Sequence, residues 1–161
     1  MLSLVLLFVV VGCSTTTSKF HEIPNFIIID STNTIVRGGQ PETNGFNYLK
    51  SIGINKIVKL NEESEGSDEY AKYLGMIVIY IPFNTWEQMI YTPMWKVNMA
   101  VTNITSNTFF HCQHGQDRTG LIGECYVISK GKSEKDAYKE MLDNGFHKSL
   151  LGLWYRSKHL K

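Results

Sequence analysis

Apolar runs and helix-spaced apolar positions alternate along most of the chain, which is how a parallel sheet with crossover helices reads. The runs 26–30 (FIIID) and 34–37 (TIVR), parted by Ser31, Thr32 and Asn33, predict a small hairpin or strand pair, and 38–41 (GGQP) breaks the pattern. Thr43 or Asn44 is placed to cap a helix whose apolar positions Phe46, Leu49 and Ile52 recur every three residues, with Gly53 at its end. Residues 54–60 (INKIVKL) follow as a strand. The polar stretch 61–68 (NEESEGSD) reads as a loop with solvated acidic side chains, and Ser67 as the cap of a short helix through Tyr70, Tyr73 and Leu74.

The run 76–81 (MIVIYI), continuously apolar and rich in β-branched residues, predicts the central strand and opens into the loop 82–88 (PFNTWEQ). Thr92-Pro93 fits the N-cap and first position of a helix with Met94, Val97, Val101 and Ile104 on one stripe. Residues 108–112 (TFFHC) form another strand, which runs directly into the segment 111–120 (HCQHGQDRTG). A helix from Thr119 to about Lys130 turns Leu121, Cys125 and Ile128 inward; Ser133 with Asp136 begins a further helix, ended by Asn144-Gly145. Residues 150–155 (LLGLWY) begin a terminal amphipathic piece.

Composition narrows the classes of function. With 161 residues, 43% hydrophobic and 12% aromatic, the chain has material for one ordinary domain with a real core. A net charge of +1, with Lys and Arg scattered, leaves no broad electrostatic footprint for nucleic acid. The three cysteines make no disulfide framework and lack the paired spacing of a zinc site. His111 and His114 flank Cys112, but His21, His147 and His159 are far away in sequence, so no metal site is expected.

Residues 1–13 (MLSLVLLFVVVGC) form an apolar run that is too short for a bilayer span of roughly 20 residues and has the size of a secretory h-region. Its end, Val10-Val11-Gly12-Cys13, resembles the lipobox of bacterial lipoproteins. That resemblance implies cleavage before Cys13, a lipid on its thiol, and a firm hold on the cell envelope. Ser14 after the cysteine would direct it to the outer membrane, and residues 14–25 would be a polar tether ahead of a catalytic domain spanning 26–161. Apart from the α-amino group, no positive charge precedes the run. The alternatives are that 2–11 are a buried strand or helix of the fold, and that the protein is cytoplasmic.

The segment 111–120 carries the chemistry. A strand that ends in a tight loop and becomes a helix N-terminus gathers unpaired backbone N–H groups into an anion site. The loop from Cys112 to Arg118 has the length of a cradle in which N–H groups of Gln113, His114, Gly115, Gln116, Asp117 and Arg118 ring three phosphate oxygens. Gly115 permits a turn that a Cβ would obstruct, and Arg118 supplies a planar fork for two oxygens. The same dipoles and guanidinium stabilise the thiolate of Cys112, the nucleophilic form, to which Thr119 can donate. Gly120 allows close packing where the helix begins.

His111, Cys112, Gly115, Arg118, Thr119 and Gly120 together match the signature loop of the cysteine-dependent protein tyrosine phosphatase superfamily, and HCQHGQDRTG most resembles the small dual-specificity type of bacteria. The likeness extends to 37–41 (RGGQP), the strand entry at Gly53-Ile54, the pair Ile81-Pro82 and 141–147 (MLDNGFH), covering roughly residues 30–150. It implies a single α/β domain with a mostly parallel, four- to five-stranded sheet flanked by helices. It implies hydrolysis of phosphate monoesters through a phosphocysteine intermediate without metal or cofactor, on a phosphorylated protein or small phosphate ester, with phosphotyrosine foremost and phosphoserine or phosphothreonine besides; the chain is expected to act as a monomer. In that scheme Cys112 attacks phosphorus, Arg118 and the loop amides hold the transition state, Thr119 assists breakdown of the thiophosphate, and His111 orients the cysteine. His111 and Cys125 also read as ordinary core residues. The family places an aspartate on the loop after Ile81-Pro82, yet none lies between Asp68 and Asp117. Glu87, beside Trp86, and Asp117 are the substitutes, with Asp117 favoured because its place relative to the nucleophile is fixed. An inositol-phosphate or phosphoinositide phosphatase and a catalytically weak phosphate-binding module are the alternative functions.

Overall fold

The computed structural model describes residues 23–84, 87 and 92–150. The readings on the N-terminal segment through residue 22, including Cys13, on Trp86 and on 151–161 lie outside these residues. The strands β1 (Ile27–Asp30), β2 (Ile35–Gly38), β3 (Lys56–Lys59), β4 (Ile77–Tyr80) and β5 (Thr108–His111) form one five-stranded sheet in the order β1-β2-β5-β3-β4. The hairpin pair β1 and β2 is antiparallel, and β2, β5, β3 and β4 run parallel. Ile57 stands opposite Phe109, and Val36 stands opposite Phe109 on the other side.

The period-two alternation of side chains sorts the sheet into two faces. Val36, Ile57 and Phe109 pack with Phe46 and Leu49 of α1 (Thr43–Ser51) and Ala71 of α2 (Glu69–Tyr73). Ile35, Val58, Phe110 and Cys112 face the opposite side. There they meet Val97 and Ala100 of α3 (Met94–Asn103), Leu121, Ile122 and Cys125 of α4 (Asp117–Ser129), and Met141 of α5 (Glu134–Asp143). Ile23 is already buried in the first of these clusters, and the Pro24 carbonyl accepts from the Gly39 N–H at 2.6 Å.

Several sequence expectations shift. The run 76–81 is an edge strand, not the central one: β4 has β3 on one side only, and Ile77 and Tyr80 are exposed. A continuous apolar run records burial of parts of both faces and says nothing of what lies beside the strand, and the centre belongs to β5, between β2 and β3. The N-cap of α1 is Glu42, and that of α3 is Pro93, with the Thr92 hydroxyl turned to donate to Glu87 O at 2.9 Å. The Ser133 cap holds, its Oγ accepting from the Asp136 N–H at 3.1 Å, and Gly145 ends that helix with φ +87°. Helix α4 begins at Asp117, ahead of the expected Thr119, so Arg118 projects from the first helical turn.

Candidate active site

The site lies at the C-terminal end of β5, the central strand, where the chain turns into α4. Cys112 is 2% exposed, and the Gly115 N–H points at its Sγ from 3.3 Å. Gly115 has φ +78°, and a Cβ there would overlap Gly39 N and Gly38 C, so the loop closes directly onto the backbone of the 37–41 segment. The Gln40 N–H donates to Gln113 O at 3.0 Å, and Asn25 Nδ2 donates to His114 O at 2.8 Å. The N-cap of α4, Gln116, makes no side-chain cap, and the first-turn N–H groups of a helix have no acceptor within it. Cys112 therefore lies at the foot of a helix N-terminus, where anions and thiolates are stabilised.

Arg118 is gripped from outside the loop. Its Nη1 and Nη2 donate to Glu65 Oε2 and Oε1 at 2.6 and 2.8 Å, and Nη1 also donates to Phe83 O at 3.2 Å. Burial opposes the charge on Arg118, but Glu65 and Cys112 outweigh it and hold the guanidinium above its ordinary value. In return, the hydrogen bond from Arg118 holds the Glu65 carboxyl below the usual carboxylate range. Glu65 sits on a 3-10 turn, Glu63–Glu65, inside the stretch expected to be solvated. Its position is fixed by the Glu62 N–H, which donates to Oε2 at 3.0 Å.

The second surprise of that stretch is Asp68, 2% exposed. Because His111 and Cys112 point to opposite faces of β5, the imidazole lies on the α2 side, stacked on Phe109, with Nε2 2.8 Å from Asp68 Oδ2. Gln40 Nε2 donates to the other Asp68 oxygen at 2.9 Å, and Asn61 Nδ2 donates to Gln40 Oε1 at 2.9 Å. Burial pushes the Asp68 carboxyl up, but the His111 and Gln40 hydrogen bonds and the Lys59 charge hold it below its ordinary value. Lys59, itself fully buried, pairs with Glu63 at 2.9 Å. The acidic loop thus reaches both ends of the active-site segment, through Glu65 to Arg118 and through Asp68 to His111.

Thr119 Oγ1 stands 3.9 Å from Cys112 Sγ, within reach of a hydrogen bond to sulfur. Both substitutes for the family's aspartate are engaged elsewhere. Glu87 and Asn84 cap one another, the Asn84 N–H donating to Glu87 at 3.1 Å and the Glu87 N–H to Asn84 Oδ1 at 2.9 Å, and Lys96 Nζ grips the Glu87 carboxylate at 2.6 and 2.7 Å. Asp117 turns to the segment after α5, where it accepts from the His147 N–H at 2.9 Å and lies 3.0 Å from His147 Nδ1. His147, set aside in the sequence for its distance, is therefore a neighbour of the loop; the segment 141–147 was its only signal. Cys125 packs in the core, in line with its reading as an ordinary core residue.

No protein-family model matches the sequence. Among solved structures, the chain is similar to the core catalytic domain of the PP-IP phosphatase Siw14 from S. cerevisiae, with 18% identity, 86% of this chain and 88% of that one covered, and a TM-score of 0.70. It is similar to a putative phosphatase from Shewanella putrefaciens, with 16% identity, coverages of 86% and 94%, and a TM-score of 0.67. A third is P. aeruginosa TpbA, with 16% identity, 86% of each chain covered, and a TM-score of 0.66. The sheet and its helices thus share the fold of these three proteins.

Proposed function

We propose that the protein is a cysteine-dependent phosphatase whose first substrates are phosphate esters with stable leaving groups, phosphotyrosine on proteins foremost. The observation that carries this reading is the nucleophile site: a buried Cys112 receiving the Gly115 N–H at the N-terminus of α4, with Arg118 held as a fork by Glu65. A phosphate seated in the loop would meet amide donors and the guanidinium, which hold the equatorial oxygens as charge builds on them. Cys112 Sγ then bonds to phosphorus as the ester P–O bond breaks, and the leaving oxygen keeps the electron pair. Water next attacks phosphorus, the P–S bond breaks, and sulfur departs as thiolate beside Thr119.

The engagement of Glu87 with Lys96 and of Asp117 with His147 bears on the choice of substrate. A donor already locked in an ion pair or a bonded carboxylate gives little help to a poor leaving group. A phenolate, as from phosphotyrosine, departs far more readily than the alkoxide of serine or threonine. A cysteine-to-serine form of TpbA, whose fold this chain shares at a TM-score of 0.57, has been solved in complex with pTyr. The same economy favours a second reading, cleavage of a phosphoanhydride on an inositol polyphosphate, where the leaving group is itself a phosphate. The likeness to a PP-IP phosphatase supports it, while the absence of lysine from 111–120 counts against it.

The test is phosphate release by residues 19–161 without metal and with reductant, on aryl phosphates of graded acidity, an alkyl phosphate, phosphotyrosine and phosphothreonine peptides, and an inositol pyrophosphate. The expected result is a vanadate-sensitive rate that rises with leaving-group acidity, is lost in C112S, and persists in E87Q and D117N. Equal rates on aryl and alkyl esters, or loss of the rate's basic limb in either carboxylate variant, would show that a proton donor operates after all. Vanadate binding without turnover would leave a phosphate-binding module.

A further inference from the structure

Strand β2 sends Arg37 toward α4. It stands in register beside Phe110 of β5 and two positions from Ile35, on the sheet face that also carries Cys112. The side chain is 2% exposed and runs along the glycine side of the helix: a Cβ at Gly123 would lie 3.6 Å from its Cδ, and one at Gly120 would lie 3.7 Å from its Nη1. At the end of that path Nη1 donates to Thr119 Oγ1 at 3.3 Å in a buried contact. Burial pushes the guanidinium down to about 10, against the favourable charges of Cys112 and Glu140, so it is still a cation at neutral pH.

The chemistry of the two groups fixes the direction of the proton. A guanidinium has N–H donors and no acceptor, so Thr119 Oγ1 must accept from it. The hydroxyl carries a single hydrogen, which is then left for another neighbour. That neighbour is Cys112 Sγ at 3.9 Å, a contact whose geometry alone lets either atom donate. Arg37 occupies one acceptor site of Oγ1 and so turns the hydroxyl, and toward a thiolate, which carries no hydrogen, the threonine is the donor.

We propose that Arg37 is a positioning residue for Cys112: by donating to Thr119 Oγ1 it holds that hydroxyl with its O–H aimed at Sγ, both in the free thiolate and when sulfur leaves phosphorus. The inference rests on the phosphocysteine reading for its second part. In that step water adds to phosphorus, the P–S bond breaks, and sulfur takes the electron pair and accepts the Thr119 hydrogen bond. The water's proton passes to the phosphate or to solvent. A purely structural arginine, filling the cleft between β2 and α4 that Glu124 and Glu140 also line, would have no such dependence on Thr119.

The test is a double-mutant cycle on the full chain, with R37M and R37Q each made in the wild-type and T119V backgrounds. The first readout is the rate of Cys112 alkylation by uncharged iodoacetamide, which reports the sulfur without asking for turnover or anion binding. Each Arg37 variant should slow it severalfold with Thr119 present, because the lost hydrogen bond to sulfur is only partly offset by the greater nucleophilicity of a more basic thiolate, and should add almost nothing in T119V. The second readout is rapid mixing with an aryl phosphate. The Arg37 variants should release phenol in a burst and then stall, lowering kcat more than kcat/KM, because the phosphoenzyme breaks down slowly. Equal slowing of alkylation in both backgrounds, or no slowing in either, overturns the proposal. Where R37M does not fold, R37Q read in the same two backgrounds decides in the same way. A wild type that hydrolyses no aryl phosphate defeats the phosphatase reading alone, and the alkylation cycle still decides the relay.

Discussion

Glu65 does for Arg118 what a loop of its own length could not. An arginine projecting from a helix start has rotatable bonds, and a fork that must meet two phosphate oxygens works only if it is held in plane. Both Glu65 oxygens receive an Arg118 N–H, and the carboxylate is itself set by the Glu62 N–H and is only one-quarter exposed. E65Q keeps the shape but replaces one accepting oxygen with a donor that opposes the guanidinium. Losing a hydrogen bond to a charged group, worth about 1.5–3 kcal/mol, should lower kcat/KM on an aryl phosphate roughly 10- to 100-fold, with KM rising. Steady-state kinetics on a folded variant checks this, and an unchanged kcat/KM would mean that Arg118 positions itself. The sequence displayed Cys112, Gly115 and Arg118 because their spacing is local. Glu65 and Asp68 meet partners 53 and 43 positions away, and nothing about an acidic residue in a polar stretch distinguishes one that will be gripped from one that will be solvated.

At the level of elements, the loop between β5 and α4 is built against the turn that follows β2, and two glycines separate the reasons for that. Gly53 and Gly115 both have positive φ, +89° and +78°, but a Cβ at Gly53 would meet nothing within 4 Å, whereas one at Gly115 would overlap the backbone of Gly38 and Gly39. G53A should therefore cost only the left-handed conformation, roughly 1 kcal/mol, and leave phosphatase activity intact. G115A must in addition push two segments of backbone apart, and should cost more than about 3 kcal/mol and abolish turnover. Urea denaturation of both variants, with activity measured at low urea, decides it. Similar losses in the two would mean that the contact of the loop with 38–39 can relax. Sequence pattern located both turns from their glycines, since a turn is written locally. It could not order the parallel strands, because β3, β4 and β5 each carry a short apolar stretch, and which becomes the edge depends on crossovers that periodicity does not encode.

For the whole molecule, the acidic loop ties the sheet's α2 face to the candidate active site, and this gives folding a dependence on pH that can be read in advance. The carboxyls of Asp68 and Glu65 are both held below the ordinary carboxylate range in the folded state, Asp68 against its own burial by the hydrogen bonds from His111 and Gln40, Glu65 by Arg118. Between each lowered folded value and the ordinary one, the unfolded chain binds more protons than the folded chain, so acid favours unfolding there. The stabilisation is complete above the ordinary carboxylate range and is lost as pH falls through the folded values. In D68N the amide keeps a polar contact with His111 but no longer titrates, so two effects should separate. Near neutral pH the variant should be less stable by about 1.5–3 kcal/mol, the scale of hydrogen bonds to a buried charge. Below the carboxylate range the gap should close, because wild-type Asp68 is then protonated too. Unfolding free energies from urea titrations at a series of pH values give both curves. Parallel curves, with the gap unchanged down to the most acidic pH at which both fold, would mean that Asp68 contributes shape and not charge. The link from the acidic loop to His111 would then be packing alone.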